Sequence, residues 1–245
     1  MEEKNNLVKM LKEEFNRPVP HEYTTLIERA RGGRKTEHNL FPEEPIFFTI
    51  NDSLVWGLLQ RLRDGGFERD IFEKHIKDKD FIDLGCGHPE LPRMLRNEAG
   101  YRSVADFAAS TGAKRYIGVD LIAIENYSTQ DGNFNRVYVS DEILHFLSTI
   151  PDANKHLTNK FLFFSGLESE FTLENHEFFK SNPKLYRSYL KRWDSEVADY
   201  HHALHKEIDR ITKIGDVVYI GDRTTSIQPE RAGFKQNAEG FFVKE

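Results

Sequence analysis

The chain has 245 residues, 34 of them basic and 40 acidic, and a net charge of −6 with histidine neutral. This acidic balance disfavours general nucleic-acid binding, which needs a basic surface against the phosphates. One cysteine excludes an internal disulfide, and the sequence has neither an apolar run of about 18 residues, as a membrane span requires, nor a secretory signal. We therefore expect a cytoplasmic protein without membrane segments.

The first 75 residues are predicted to form a helical extension or lid. Apolar residues recur at helical spacing over residues 1–15. Prolines and a glycine pair over residues 16–50 indicate loops with short helical pieces. A further helix is expected over residues 51–63, because a glycine pair follows it and an Asn-Asp pair can cap its start.

Residues 76–245 are predicted to form an α/β domain. Five apolar runs are separated by helix-like stretches, which predicts a parallel sheet with crossover helices. These runs are Phe81–Leu84, Tyr116–Val119, Val137–Val139, Phe161–Phe164 and Val217–Ile220. Two shorter runs, around Phe234 and at Phe241–Val243, flank the turn residues 237–240 and predict a terminal antiparallel hairpin.

One long amphipathic helix is predicted from the apolar stripe of Tyr186–Ile211, whose members recur every three or four residues. On such a helix His201 and His205 share a face, whereas His202 points nearly the opposite way. Together with Asp209, His201 and His205 resemble a metal-binding pattern. We interpret these residues instead as lining the solvent edge of the stripe, and we predict no metal site.

The strongest functional signal follows the first predicted strand. Phe81–Pro89 reads as a strand, a Gly-Cys-Gly turn and the start of a helix, with Asp83 before the turn. Glycines allow a sharp bend and close approach of a ligand to the backbone, and the next helix offers unpaired N–H groups. We interpret Cys86 as a small packing residue, because a catalytic thiol needs an activating base.

Two more carboxylates follow the next strands. Asp120 ends the second strand, where its two acceptor oxygens suit the vicinal diol of a ribose. Asp141 ends the third strand and could accept a hydrogen bond from an amine such as adenine N6. In parallel sheets the carboxyl ends of neighbouring strands lie at one edge, so these acids and the turn are expected to form one site.

Three segments resemble successive cofactor motifs of class I S-adenosylmethionine-dependent methyltransferases: Asp83–Gly87, Gly112–Asp120 and Val139–Leu144. The resemblance covers about residues 75–245. It implies a Rossmann-like sheet of seven strands, mostly parallel, closed by an antiparallel hairpin and preceded by the helical extension. It also implies S-adenosylmethionine as the cofactor.

The resemblance implies a function for each motif residue. The glycine-rich turn would wrap the methionine part of the cofactor. Asp120 would bind the ribose hydroxyls, and Asp141 would bind the adenine amine. Asp83 would orient the turn or reach the cofactor's amino group. The complete cofactor-binding set implied is Asp83, Gly85, Cys86, Gly87, Asp120, Leu121, Asp141, Glu142 and Ser165.

The sequence departs from the family pattern in several places. Pro89 stands where a third glycine is common, and the spacing from Asp83 to Asp120 implies an insertion at about Ala99–Thr111. The connection after the fifth strand is short, which predicts a reduced or absent last crossover helix. No Asn/Asp-Pro-Pro-Tyr-like motif follows the fourth strand, so amino-methylating enzymes with that motif gain no support.

The methyl acceptor is expected beyond the carboxyl ends of the strands, where three irregular segments are predicted: Leu121–Asn135, Ser165–Leu185 and Asp222–Arg231. These segments contain the aromatic residues Tyr127, Phe134, Phe171, Phe178 and Phe179. Their side chains would either contact an apolar or planar substrate, or only pack the loops. Methyl transfer needs mainly alignment in a dry pocket. Glu168, His88 and His176 are candidate bases by location only, and no catalytic residue is assigned.

A basic run near the N-terminus has two interpretations. It contains Arg29, Arg31, Arg34 and Lys35. It forms either a solvated loop or a contact with an anionic substrate near the site. A nucleic-acid acceptor is disfavoured but stays open because of this run.

Three functional hypotheses follow. The leading one is methyl transfer from S-adenosylmethionine to an unidentified acceptor, expected to be a small molecule. The alternative is a non-catalytic protein of the same fold that binds S-adenosylmethionine or S-adenosylhomocysteine, or serves as a scaffold. The third keeps the fold but changes the ligand to a dinucleotide or a decarboxylated cofactor.

Overall fold

A computed structural model describes residues 6–31, 67–86, 104–120, 127–152, 159–164, 198–220 and 227–245. The described helices are α1 (Asn6–Glu14), α2 (residues 24–31), α3 (Phe67–Ile76), α4 (Val104–Ser110), α5 (Ile143–Thr149) and α6 (residues 198–211). The strands are β1 (Asp80–Leu84), β2 (Arg115–Asp120), β3 (Tyr127–Asp131), β4 (Phe134–Ser140), β5 (Lys160–Phe164), β6 (Val217–Ile220), β7 (Phe234–Gln236) and β8 (Phe242–Lys244). Short 3-10 helices lie at His21–Tyr23 and Pro229–Ala232.

The eight described strands form one mixed sheet in the order β3-β4-β2-β1-β5-β6-β8-β7. Strands β4, β2, β1, β5 and β6 are parallel, whereas β3, β8 and β7 pair with their neighbours in antiparallel fashion. The predicted α/β class and the mostly parallel sheet are therefore confirmed. All seven predicted apolar runs are strands, and the terminal hairpin is confirmed as β7 and β8.

An additional edge strand, β3, lies within a segment predicted to be irregular. The prediction for 121–135 is wrong at Tyr127–Asp131, which pairs antiparallel with β4 through a two-residue turn at Gly132 and Asn133. The sequence also predicts a helix-like stretch between β2 and β4. This prediction is wrong at Tyr127–Asp131, which form the strand β3. The segment Tyr-Ser-Thr-Gln-Asp is too polar to resemble a buried strand, although the Gly-Asn pair of the turn is a typical hairpin signal.

The two faces of the sheet bury different side chains, because successive residues of a strand point to opposite sides. The aliphatic face carries residues such as Ile82, Leu84, Ile117 and Val119, and it packs against α5 and α6. The aromatic face is covered by α3 and α4; its members include Phe81, Tyr116, Tyr138, Phe161, Phe163 and Tyr219. Helices on both faces leave the carboxyl edge of the strands as the place for a ligand.

Residues 6–31 pack on the aliphatic face and contribute to the same core as the sheet. Their buried apolar residues are Leu11, Phe15, Tyr23, Ile27 and Ala30. Polar contacts hold the segment too: Tyr23 donates a hydrogen bond to Glu207 at 3.0 Å, and Arg115 at the start of β2 bonds both oxygens of Glu14 at 3.0 Å. The predicted division at residue 75 stays a prediction.

Several helix predictions fall partly or wholly outside the described residues. The helix over residues 1–15 is confirmed as α1, and the amphipathic helix is confirmed over residues 198–211. Three predictions lie outside the described residues: the earlier part of the amphipathic helix, the helix over residues 51–63 and the helix from Pro89. Before β7, the described connection contains only the 3-10 helix Pro229–Ala232, in agreement with a reduced last crossover. In the described ranges, every helix is too short or too polar to traverse a bilayer.

Candidate functional site

The carboxyl ends of β1, β2 and β4 are joined by backbone hydrogen bonds. The N–H groups of Gly85 and Cys86 both donate to the Val119 carbonyl, at 2.9 and 3.2 Å, so the turn after β1 lies over the end of β2. The Asp141 N–H donates to the Asp120 carbonyl at 3.0 Å. The turn and two of the predicted acids therefore lie along one edge, as their positions after successive strands predict.

The turn requires glycine at two places. Gly85 has φ of 86°, in the left-handed region that side chains disfavour. Gly118 on β2 lies under Cys86: a Cβ at Gly118 would meet the Cys86 Sγ at 2.9 Å and the rings of Tyr116 and Tyr138 at 3.0 Å. The small size of Gly118 thus lets the turn pack closely against the neighbouring strand.

Asp83 is buried beneath this turn. Only 1% of the residue is exposed, and its Oδ2 accepts a hydrogen bond from the Tyr116 hydroxyl at 2.7 Å. Burial raises the pKa of Tyr116 well above its ordinary value, and the Asp83 charge adds to the effect. The hydroxyl therefore stays protonated and holds the carboxylate of Asp83 in place.

The Cys86 thiol lies near two buried carboxylates. Burial raises its pKa well above the ordinary value, and the charges of Asp83 and Asp120 raise it further. Asp120 is itself buried, with 3% exposed. The thiol is therefore protonated and poorly nucleophilic, in agreement with a packing residue. Because Asp83 and Asp120 both lie near Cys86, this part of the edge has a negative electrostatic potential.

Asp141 is held by three partners. Its Oδ1 accepts from Arg31 Nη2 at 2.9 Å and from the Glu142 N–H at 2.8 Å. Its Oδ2 lies 2.5 Å from His145 Nδ1. Arg31 belongs to the basic run of the N-terminal segment, so the structure brings one member of that run to the predicted cofactor edge. Of the other members, only Arg29 is described.

Glu142, which the family resemblance placed in the cofactor set, is fully buried and caps α5. Its carboxylate accepts from the N–H groups of Leu144 and His145, at 3.1 and 2.8 Å, and from the Tyr200 hydroxyl. Burial raises the pKa of Glu142 to about 7, against the opposing effect of these hydrogen bonds. Glutamate is an uncommon N-cap, so the sequence gives little signal for this contact.

The histidines of α6 are arranged as predicted around the helix but not at its solvent edge. His201 and His205 are buried on one face and His202 is exposed. The solvent-edge interpretation is therefore wrong for His201 and His205. His205 accepts from the Gln228 N–H at 3.0 Å, and burial, reinforced by His201 and Arg231, lowers its pKa to about 4. It is neutral at physiological pH.

The metal-binding pattern does not assemble in the described part of the chain. Asp209 forms an ion pair with Lys244 on β8 rather than facing the histidines. Across the described ranges, no three potential ligands are close enough to hold a metal ion.

Several predicted site residues lie outside the described ranges, so their positions stay predictions. From the cofactor set these are Gly87, Leu121 and Ser165, and from the basic run Arg34 and Lys35. The candidate bases Glu168, His88 and His176 also lie outside. Of the loop aromatics, Phe134 is described; it is half-buried with the Arg136 guanidinium 5.7 Å from its ring centre.

No protein-family model, curated protein or solved structure matches this chain. The residues at the carboxyl edge must therefore carry a functional proposal by themselves. They combine a glycine turn, two buried carboxylates close to Cys86 and a third carboxylate held by Arg31.

Proposed function

We propose that this protein is an S-adenosylmethionine-dependent methyltransferase with a small-molecule acceptor. The observation that carries the proposal is the meeting of the Gly85 turn, Asp120 and Asp141 along one edge through backbone hydrogen bonds. In open α/β sheets, ligands bind beyond the carboxyl ends of the strands at the point where the strand order reverses.

The strand order supports the Rossmann-like part of the proposal. The five parallel strands follow the order β4-β2-β1-β5-β6, so the chain starts in the middle and reverses direction between β1 and β5. Dinucleotide-binding sheets share this order of third, second, first, fourth and fifth strands. The turn after β1 flanks the reversal point, where a nucleotide-containing cofactor would lie.

The charge at this edge favours a cationic ligand. The charges of Asp83 and Asp120 both act on the Cys86 thiol, so two carboxylates influence the same part of the edge. Opposite charges attract more strongly where water is excluded. S-adenosylmethionine carries a sulfonium and an ammonium group, and both would be stabilised near these carboxylates.

The described residues fit the cofactor in different degrees. Gly85 permits close approach of a ligand to the backbone, and Asp120 supplies acceptors suited to ribose hydroxyls. Asp83 suits the orientation of the turn better than direct contact, because the Tyr116 hydroxyl already donates to its Oδ2. Asp141 suits the adenine amine at Oδ1 only if Arg31 is displaced, because Arg31 and the Glu142 N–H both donate to that oxygen.

The bound cofactor would supply an activated methyl group on its sulfonium. What the chain must then provide is alignment of the acceptor and exclusion of water. The glycine turn and the acids at the ends of β1 and β2 would fix the cofactor at the edge. No residue of the described ranges is assigned to proton removal from the acceptor.

Titration calorimetry with S-adenosylmethionine and S-adenosylhomocysteine tests the proposal. We expect both to bind, and Asp120→Asn to weaken S-adenosylmethionine by about tenfold or more, as loss of a charged hydrogen-bond partner predicts. Asp78→Asn is the matched control, because it makes the same charge change on an exposed turn before β1, at its opposite end. Thermal melting of each variant verifies folding.

Absence of binding by either compound at millimolar concentration would overturn the proposal, as would undiminished binding by Asp120→Asn. Release of S-adenosylhomocysteine in the presence of a small-molecule acceptor panel distinguishes the alternative. Tight cofactor binding without turnover across the panel would favour a non-catalytic binding protein.

A further inference from the structure

Arg31 reaches the site from outside the sheet. It is the last described residue of α2, and its guanidinium contacts Asp141 just after β4. The neighbouring α2 residues Ile27 and Ala30 are buried in the core of the aliphatic face. The helix is thus anchored to the sheet and carries a positive charge to the carboxyl edge.

The contacts of Asp141 differ in how readily a ligand could replace them. The Glu142 N–H is fixed because it belongs to the backbone leading into α5, and His145 lies one turn along the same helix. Arg31 alone among these partners comes from a distant part of the chain. Its side chain is 40% exposed, so it can exchange this contact for water.

Asp141 has little remaining acceptor capacity. A carboxylate offers about four lone-pair positions. Two are occupied on Oδ1, by Arg31 and the Glu142 N–H, and Oδ2 is bonded to His145. A ligand amine that binds Oδ1 must therefore compete with the guanidinium. This competition lowers the apparent affinity for the ligand, because only the fraction of protein in which the contact between Arg31 and Asp141 is broken can bind the amine.

We propose that Arg31 is an internal competitor of the ligand at Asp141, by which the N-terminal segment restrains cofactor binding. This inference rests on the proposed function, because the competing ligand group is the exocyclic amine of an adenine. Displacement of Arg31 opens Asp141 to the amine. A second molecule that binds the guanidinium, such as an anionic acceptor, would thereby promote cofactor binding.

The test measures the affinity of the full-length protein for S-adenosylhomocysteine, adenosine and inosine by calorimetry. A partly exposed ion pair contributes up to about 1 kcal/mol, so we expect Arg31→Gln to bind S-adenosylhomocysteine and adenosine about two- to fivefold more tightly. Arg31→Lys should fall between the wild type and Arg31→Gln. Lys12→Gln, the same charge change on the exposed side of α1, should bind as the wild type does.

Inosine separates competition at the amine from a general charge effect. It has an oxygen in place of the exocyclic amine, so this position cannot donate to Asp141. We therefore expect no gain in inosine affinity from Arg31→Gln. An equal gain for inosine and adenosine would overturn the inference.

The outcomes also distinguish the inference from the proposed function. Binding of S-adenosylhomocysteine by the wild type with unchanged affinity in both Arg31 variants would overturn the inference alone. Binding by the wild type together with tighter binding by Arg31→Gln would support both. Absence of binding by the wild type and both variants would overturn the proposed function, and the inference with it.

Discussion

The hydroxyl of Tyr200 donates a hydrogen bond to the buried carboxylate of Glu142 and thereby joins α6 to the start of α5. Both residues are fully buried. We expect Tyr200→Phe to lower the free energy of unfolding by about 1–3 kcal/mol, because a buried carboxylate loses a donor. The loss should be larger at pH 8, where the ionised group depends on donors, than at pH 5. Urea unfolding at both pH values measures it, and an equal loss at the two would contradict this explanation.

Glu142 should make the protein less stable as the pH rises from about 4.5 to 7. Burial raises its pKa from 4.5 to about 7 in the folded state. In this interval the unfolded chain has released the proton that the folded chain retains, so the unfolding free energy falls with pH and then levels off. The contribution is at most about 3 kcal/mol.

Glu142→Gln provides the comparison, because the amide does not titrate. The stability difference between wild type and variant should change through this interval and be constant above it. A wild type and a Glu142→Gln protein with parallel pH profiles would show that Glu142 titrates normally.

Gly118→Ala should destabilise the fold by about 1–3 kcal/mol through overpacking. The added Cβ would approach the Cys86 Sγ to 2.9 Å, with two aromatic rings at 3.0 Å. Adding Cys86→Ala removes the nearest atom, so the double variant should recover part of the loss relative to the sum of the single variants. Thermal unfolding of all four proteins measures the coupling; strict additivity would argue against this contact.

The Cys86 thiol should react slowly in the folded protein. The residue is half-buried, and the pKa of its thiol is raised by burial and by the charges of Asp83 and Asp120. We expect labelling by a thiol reagent at pH 8 to be at least about tenfold slower in buffer than in urea, since the thiolate is the reactive form. Equal rates in the two conditions would place the thiol in solvent.

The ion pair of Lys160 and Asp216 should contribute strongly to stability. Their charged groups lie 2.8 Å apart and are fully buried. We expect Lys160→Met to cost about 3–5 kcal/mol, because it leaves a buried carboxylate without its counterion, and Lys160→Met/Asp216→Asn to cost less than the two single changes together. Lys9→Met, from an exposed pair with Glu13, is the matched control and should cost under about 1 kcal/mol. Equal losses from Lys160→Met and Lys9→Met would contradict the expected effect of burial.

The strands could be predicted because most are short apolar runs bounded by turn residues. Phe161–Phe164 is buried on both faces of the sheet, and such a run reads as a strand without any tertiary information. The edge strand β3 could not be recognised in the same way, since Tyr127–Asp131 has no apolar pattern. Its only local signal is the Gly-Asn pair of the turn that follows it.

The candidate site was only partly predictable. The acids could be placed at one edge because each follows a recognisable strand. The contact of Arg31 with Asp141 joins residues 110 positions apart, and no local pattern indicates it. The burial of His201 and His205 likewise depends on how α6 packs. Periodicity predicted the shared face correctly but not which face was covered.

The docking of residues 6–31 has a consequence for synthesis of the chain. Tyr23 bonds to Glu207, 184 residues later, and Arg17 contacts the same carboxylate. Residues 6–31 are therefore synthesised long before the carboxylate that they bind. Until α6 is complete, Tyr23 and Arg17 lack the Glu207 carboxylate that they bind in the folded protein. Long-range closures of this kind slow folding, so the nascent chain should gain its protease resistance late and in one step.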